Sequence, residues 1–476
     1  VFDAMTAREA PRAWSRALLT GFCLGLVALE LLPFVAIIPV MLLVWWVLLT
    51  QGVGAGFAVT VLAGPVYVLM VCLAIVSAQA LVPGHTPTGI HVLRSRLGLR
   101  KWFLDKLFEM SLLLTNSLYA TLYTVPWLRL LGAKIGKGCE VSTVAHIDPE
   151  LLVLQQQSFV ADMAQVGSAR YHNGLIAQDT TEIGCRAFVG NAAVIPAGTT
   201  LGDGSLVGVH TLPPPQGVPA GTSWLGSPAI YLPRRQESQA FDAELTFSPT
   251  RARVLERYGI EFLRIAVPGS LLAASAYIAL YLLAGVATGT NAWVLVIAAP
   301  AAFLGMGLAM VILVAGLKWL LVGTYVPRVE PLWGRFVRRS ELVTGLFEAA
   351  AVPALLQGLT GTPLLGPLLR LFGTHVGRRT LIESTYLTEF DLVHIGDDAV
   401  IGKGASLQTH LFEDRVMKMS TVSIESGASV GARSVVLYDA VLGHNSTLGP
   451  LSLVMKGESL MPDTRWAGIP AEFAQD

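Results

Sequence analysis

The sequence predicts a multi-pass α-helical membrane protein that carries two cytoplasmic parallel β-helix domains, arranged as a tandem duplication. Three observations predict it. Four long apolar runs come in two pairs, basic residues flank each pair, and aliphatic residues recur every six positions after each pair. Composition agrees. The 476 residues are 53% hydrophobic and 14% charged, whereas an ordinary soluble domain has about 25% charged residues. That argues against a wholly soluble enzyme and against a disordered chain. The 33 basic residues balance 33 acidic ones, so no nucleic-acid partner is expected. Cys23, Cys72, Cys139 and Cys185 lie far apart without a CxxC pair. That spacing argues against a disulfide framework and against a zinc site. The chain starts at Val1 rather than Met, and is expected to be a processed product or a piece of something longer.

Residues 17–49 carry one charge, Glu30, and residues 53–82, 265–287 and 292–317 carry none. A span needs roughly 20 apolar residues, so four membrane helices are expected, with the bilayer lipid as a partner. None is followed by a cleavage pattern, so none reads as a signal peptide. Arg8, Arg12 and Arg16 precede the first pair, and Arg94, Arg96, Arg100 and Lys101 follow it. Arg251, Arg253, Arg257 and Arg264 precede the second pair; Lys318, Arg328, Arg335, Arg338 and Arg339 follow it. The turns inside the pairs are uncharged, and the positive-inside rule then places every large segment in the cytoplasm of a multi-pass cell-membrane protein. Glu30 is a lone carboxylate in a span; such a group often marks a site, but the favoured expectation is one tucked against a neighbouring helix or near the headgroups.

The two halves repeat the same parts. Gly89-Ile-His-Val-Leu-Arg94 matches Gly323-Thr-Tyr-Val-Pro-Arg328, Leu131-Gly-Ala-Lys-Ile-Gly136 matches Phe372-Gly-Thr-His-Val-Gly377, and Trp224-Leu-Gly-Ser-Pro-Ala229 matches Trp466-Ala-Gly-Ile-Pro-Ala471. The boundaries follow: helix pairs in 1–95 and, with a linker, 236–328; amphipathic helices in 96–130 and 329–371; β domains in 131–235 and 372–476. The amphipathic segments mix Arg, Lys, Trp, Phe and Leu and read as helices in the membrane interface.

Within the β domains the period is six. Ile183, Val189, Ile195, Leu201 and Val207 form one run, and Ile424, Val430, Val436, Leu442, Leu448, Val454 and Leu460 another. Six residues make one short strand and one corner, and three such units close a triangular coil with the aliphatic residue inward. Ile135, Val141, Ile147 and Val153 keep the phase of the first run. In the second half Val376 and Ile382 precede a one-residue slip to Ile395 and Ile401. Triangular coils are expected over 135–211 and 376–462.

These hexapeptide runs resemble left-handed parallel β-helix acyltransferases. The whole plan resembles the C-terminal membrane and condensation-like region of ε-poly-L-lysine synthetase-type nonribosomal peptide synthetases. The stretches that carry it are Tyr171-His-Asn-Gly-Leu-Ile176, Gly190-Asn-Ala-Ala-Val-Ile-Pro196, Gln408-Thr-His-Leu-Phe-Glu-Asp-Arg-Val-Met-Lys418 and Ser452-Leu-Val-Met-Lys-Gly-Glu458. Such regions have six membrane helices and three tandem domains, against four and two here. The resemblance therefore implies a third repeat upstream, together with adenylation and carrier domains. The two prisms are expected side by side with the third completing a pseudo-trimer. No cofactor is expected in this chain itself. The resemblance implies a phosphopantetheine-tethered aminoacyl group, brought by the upstream carrier domain to an amino acid or a growing poly(amino acid).

The implied reaction is amide-bond formation. Alternatives are acyl transfer from acyl-CoA and a non-catalytic scaffold or export module. Aligned across the loop that interrupts the rhythm, Tyr171-His172-Asn173 falls opposite Phe412-Glu413-Asp414, and His410 opposite Ala169. Aminolysis needs a base, and histidine can take a proton near neutral pH. His410 is the first choice, with Glu413 and Asp414 lining the same groove to bind a cationic amine, and Arg415 is a further substrate-binding candidate. His172 is second, with Asn173 as an oxyanion or substrate contact. His85, His91, His146, His375, His394 and His444 have no partner pattern and read as structural or exposed, and Lys456 and Glu458 read as a solvated corner.

Overall fold

The computed structural model describes Met5 and residues 13–144, 147–233, 241–289 and 292–474. Arg8, Arg12 and His146 lie outside the described residues. The chain divides into two compact units, Val1–Thr50 with Pro65–Arg235 and Gln51–Gly64 with Gln236–Asp476. Among the described residues four helices are long and apolar enough to cross a membrane: Arg16–Gln51, Val53–Leu81, Arg251–Thr288 and Trp293–Leu321. The third starts well before its apolar run because the basic lead-in is itself helical. Arg257 there is buried and bonds Glu261 at 2.7 Å, one helical turn on. Glu30 is exposed, and so is not tucked against a neighbouring helix of this chain.

In the first unit the strands after residue 133 stack in parallel on three faces. One face joins Glu140–Val141, Phe159–Val160, Phe188–Val189 and Leu206–Val207; a second joins Lys134–Ile135, Leu152–Leu154, Thr181–Ile183 and Thr200–Leu201; a third joins Gln165–Ser168 and Val194–Pro196. Val189 pairs with Val207, three hexapeptides on. Strands this short persist only because each inward side chain stacks on the coil above. Ile183, Val189, Ile195, Leu201 and Val207 are all buried, each worth about 1.5–3 kcal/mol of apolar transfer. Glycine follows at corners where coils touch: a Cβ on Gly190 would lie 2.7 Å from the Gly208 carbonyl carbon.

The second unit repeats this. Ile395, Ile424, Leu442 and Leu460 stack on one face, and Ile401, Val430 and Leu448 on another. The helix Arg335–Leu346 packs on the helices Arg251–Gly289 and Ala292–Leu321, and Phe347 just after it meets Phe372 and Phe390. The segment breaks at Leu355, just as its counterpart breaks after Leu114, so neither amphipathic stretch is one continuous helix.

Two readings of the sequence need correction. In the first unit Leu154, not Val153, points inward and pairs with Ile135 and Ile183. The one-residue slip expected only in the second half is therefore present in both. Its cause is one turn of 3-10 helix, Pro149–Leu151 and Phe390–Leu392, inserted in the coil. In the first half the slip is masked because the in-phase position carries an aliphatic residue, Val153, where the second half has His394. The second correction concerns alignment. Gly89–Val92 lies antiparallel to Leu175–Gln178, whereas Arg328–Pro331 lies antiparallel to Val416–Met419. Gly89 therefore corresponds to Arg328, not to Gly323.

Candidate active site

Each unit extrudes a hairpin from one coil. In the second unit His410–Glu413 pairs with Val416–Met419, and in the first Arg170–His172 pairs with Leu175–Gln178. The tips are Asp414-Arg415 and Asn173-Gly174, all with positive φ (50°, 64°, 47° and 70°). That is the backbone of a two-residue type I′ turn, which favours Asn, Asp and Gly. Asn173 and Asp414 therefore have a conformational reason to be where they are. Arg415 is buried, with its guanidinium 5.7 Å from the Phe247 ring centroid, and its carbonyl accepts from the Leu332 amide.

Register counted from the turns puts Ala169 opposite His410, Tyr171 opposite Phe412 and His172 opposite Glu413. Side chains alternate along a strand, so His410 and Phe412 share one side of the hairpin. Their rings meet edge to face at 5.4 Å. Glu413 lies on the other side, where Lys418, the register partner of Leu411, bonds it at 2.8 Å and Lys456 at 2.5 Å. Burial alone would raise the Glu413 carboxyl, but the two ammonium groups outweigh it and hold it below the usual carboxylate range. The structure thus does not bring Glu413 to His410, and its charge is already matched by protein cations. Lys456 pairs with Glu413 rather than with Glu458, which accepts from the Met455 amide. His172, at the Glu413 position, faces away from the side that carries Tyr171.

The carboxylate that meets His410 is Glu389. Its Oε2 lies 2.7 Å from His410 Nδ1, and the Glu389 side chain is 1% exposed against 24% for His410. Thr409 donates its hydroxyl to the same oxygen at 2.6 Å, and Ser340 donates to Oε1 at 3.2 Å. The Tyr325 hydroxyl lies 3.2 Å from Ser340 Oγ. Burial pushes the Glu389 carboxyl up, but the His410 charge and the hydrogen bonds from His410, Thr409 and Thr388 bring it below its ordinary value. Glu389 stands in the left-handed region, φ 37° and ψ 61°, immediately before Phe390–Leu392. Such backbone persists only where packing imposes it. Here Phe390 is wedged between Phe347 and Phe372, at 4.8 and 5.0 Å.

This pair can move a proton. With Nδ1–H given to Glu389, the tautomer leaves Nε2 as the basic nitrogen. The buried carboxylate then balances the charge that forms when the ring takes a proton. None of Glu389, Ser340 and Tyr325 stands out in the sequence, since they come from three separate segments. The slip at Phe390–Leu392 is the one signal that marks the turn.

The first unit keeps the frame without the pair. Asp148 precedes its 3-10 turn as Glu389 does, but Ala169 replaces the histidine. Lys101, at the place of Ser340 on the corresponding helix, lies 3.6 Å from Asp148 and also bonds Asp105. Burial raises the Asp148 carboxyl and Lys101 offsets this only in part.

No family model matches the chain. It is similar to the delta-poly-L-ornithine synthetase of Acinetobacter baumannii (strain AB307-0294), 40% identical over 373 residues that cover 78% of this chain and 28% of that protein. The chain thus spans just over a quarter of the length of this relative, a poly(amino acid) synthetase by name. Among solved structures, a hexapeptide-repeat acetyltransferase from Vibrio cholerae is 18% identical over 25% of this chain and 86% of its own, with a TM-score of 0.22. A galactoside acetyltransferase in complex with coenzyme A is 17% identical over 25% of this chain and 76% of its own, also at 0.22.

Proposed function

We propose that the chain is the membrane-embedded condensation region of a nonribosomal poly(amino acid) synthetase, and that its second β-helix unit forms the amide bond. The buried Glu389 carboxylate 2.7 Å from His410 Nδ1 carries this reading. The similarity to a poly-ornithine synthetase supports the class of reaction. The polymer unit is then a basic amino acid, either ornithine or the lysine of the ε-poly-L-lysine type.

An amine attacks the carbonyl of an aminoacyl thioester brought by a carrier domain outside this chain. As the C–N bond forms, His410 Nε2 takes the amine proton and Glu389 stabilises the imidazolium. Collapse breaks the C–S bond, and the imidazolium returns its proton to the leaving thiolate. Asp414 and Arg415 at the hairpin tip, and His172 with Asn173 in the first unit, are left outside this chemistry. The basic flanks support a cytoplasmic site in a multi-pass membrane protein, and a left-handed coil and a third, upstream repeat belong to the same reading. The test supplies purified intact synthetase with carrier-loaded aminoacyl thioester and free amino acid. Amide product that depends on His410 supports the proposal; product formed equally well from aminoacyl-CoA without the carrier would favour an acyl-CoA acyltransferase.

A further inference from the structure

We infer that Lys318, in the last turn of the fourth membrane-spanning helix, is a positioning residue for the His410–Glu389 pair. The inference rests on the reading of that pair as the working base. Lys318 is wholly buried, with Nζ 2.6 Å from Asp391 Oδ2 and 3.4 Å from the Trp319 ring centroid. Asp391 lies two residues after Glu389, inside the single 3-10 turn that Glu389 precedes. The same Asp391 oxygen accepts the Tyr325 amide at 3.0 Å. Tyr325 reaches Glu389 from the other side, through its hydroxyl and Ser340. The end of the span thus holds both the backbone turn that aims Glu389 and the tyrosine whose hydroxyl contacts the serine on Oε1.

The first unit shows what changes where there is no histidine. Glu150, at the place of Asp391, accepts the Thr86 amide at 2.6 Å as Asp391 accepts that of Tyr325. Its cation, however, is Arg100 of the following helix, at 3.1 Å. The position of Lys318 is taken by Gln79, which donates to the Leu131 carbonyl instead. The charged link from span to turn accompanies the histidine. An ammonium buried without its carboxylate is costly, so the pair fixes where the turn sits relative to the end of the span.

The experiment uses the intact synthetase in membranes or detergent. Carbethoxylation of His410 by diethyl pyrocarbonate needs the unprotonated ring, and peptide mass spectrometry against pH gives the midpoint of that residue alone. Wild type, Lys318→Met, Lys318→Arg and Glu389→Gln are compared. Lys318→Met should move the His410 midpoint in the direction that Glu389→Gln moves it. It should also lower turnover by up to about 10²-fold, the scale of a misplaced catalytic group, with KM unchanged. Lys318→Arg should restore both. A folded Lys318→Met protein with the wild-type midpoint would overturn the inference. Should that variant fail to insert, the Lys318→Met/Asp391→Leu double variant removes both charges and is read by the same two outcomes. Loss of the proposed function, seen as normal polymer yield in His410→Ala, would leave this titration result standing on its own.

Discussion

Asp148 and Glu389 precede equivalent single turns of 3-10 helix, yet their carboxyl groups are displaced in opposite directions, Asp148 upward and Glu389 downward. Burial pushes both up. What differs is the company: Lys101 at 3.6 Å for Asp148, but a histidine and hydroxyls at hydrogen-bond distance for Glu389. The two units thus share one frame, and among the described residues only the second pairs its carboxylate with an imidazole.

His172→Ala should leave polymer yield essentially unchanged. His172 occupies the register position of Glu413, on the side of the hairpin away from the Asp148 turn. The check is polymer yield and acceptor KM in the intact synthetase; a loss as large as that from His410→Ala would move the chemistry to the first unit.

Lys101→Met should destabilise the first unit. The lysine and Asp148 are about nine-tenths buried, and Asp148 Oδ2 is within hydrogen-bond distance of no donor. Removing one partner of a buried ion pair costs about 3–5 kcal/mol. A thermal melt of the detergent-solubilised protein should show an earlier transition, and a Lys101→Met/Asp148→Leu double variant should recover much of it.

The Glu413 cluster makes a prediction about acid. Because its folded carboxyl lies below the ordinary value of 4.5, the unfolded chain binds the proton more tightly. Its stabilisation is fully present above about pH 4.5 and is lost as pH falls through the lower folded value. Melts of wild type and Glu413→Gln should therefore differ most above about pH 5 and converge as the pH falls through the lower folded value.

Much of the fold is legible because a stacked coil repeats its demand every six residues. Val436, Leu442 and Leu448 each announce one face, and all are buried. The first-half slip was hidden because Val153, beside the inward Leu154, is itself aliphatic, whereas His394 holds that place in the second half. The histidine was legible by contrast with Ala169. Its carboxylate was not: Glu413 is near in sequence, but alternation along the strand sends it to the other side, and Glu389 arrives from the coil below. No local pattern encodes that contact, since the turn that aims Glu389 is set by Phe390 packing on Phe347 and Phe372.

The most direct test of the central claim compares aminoacyl loading and polymer elongation in intact synthetase carrying His410→Ala or Glu389→Gln. Loading should stay normal in both, because the proposed reading places that chemistry in domains outside this chain. Elongation should fall by about 10²–10⁴-fold in His410→Ala, the usual contribution of a general base, and by less in Glu389→Gln, which keeps the ring in place but loses the balancing charge. Near-normal elongation in both variants would contradict the account.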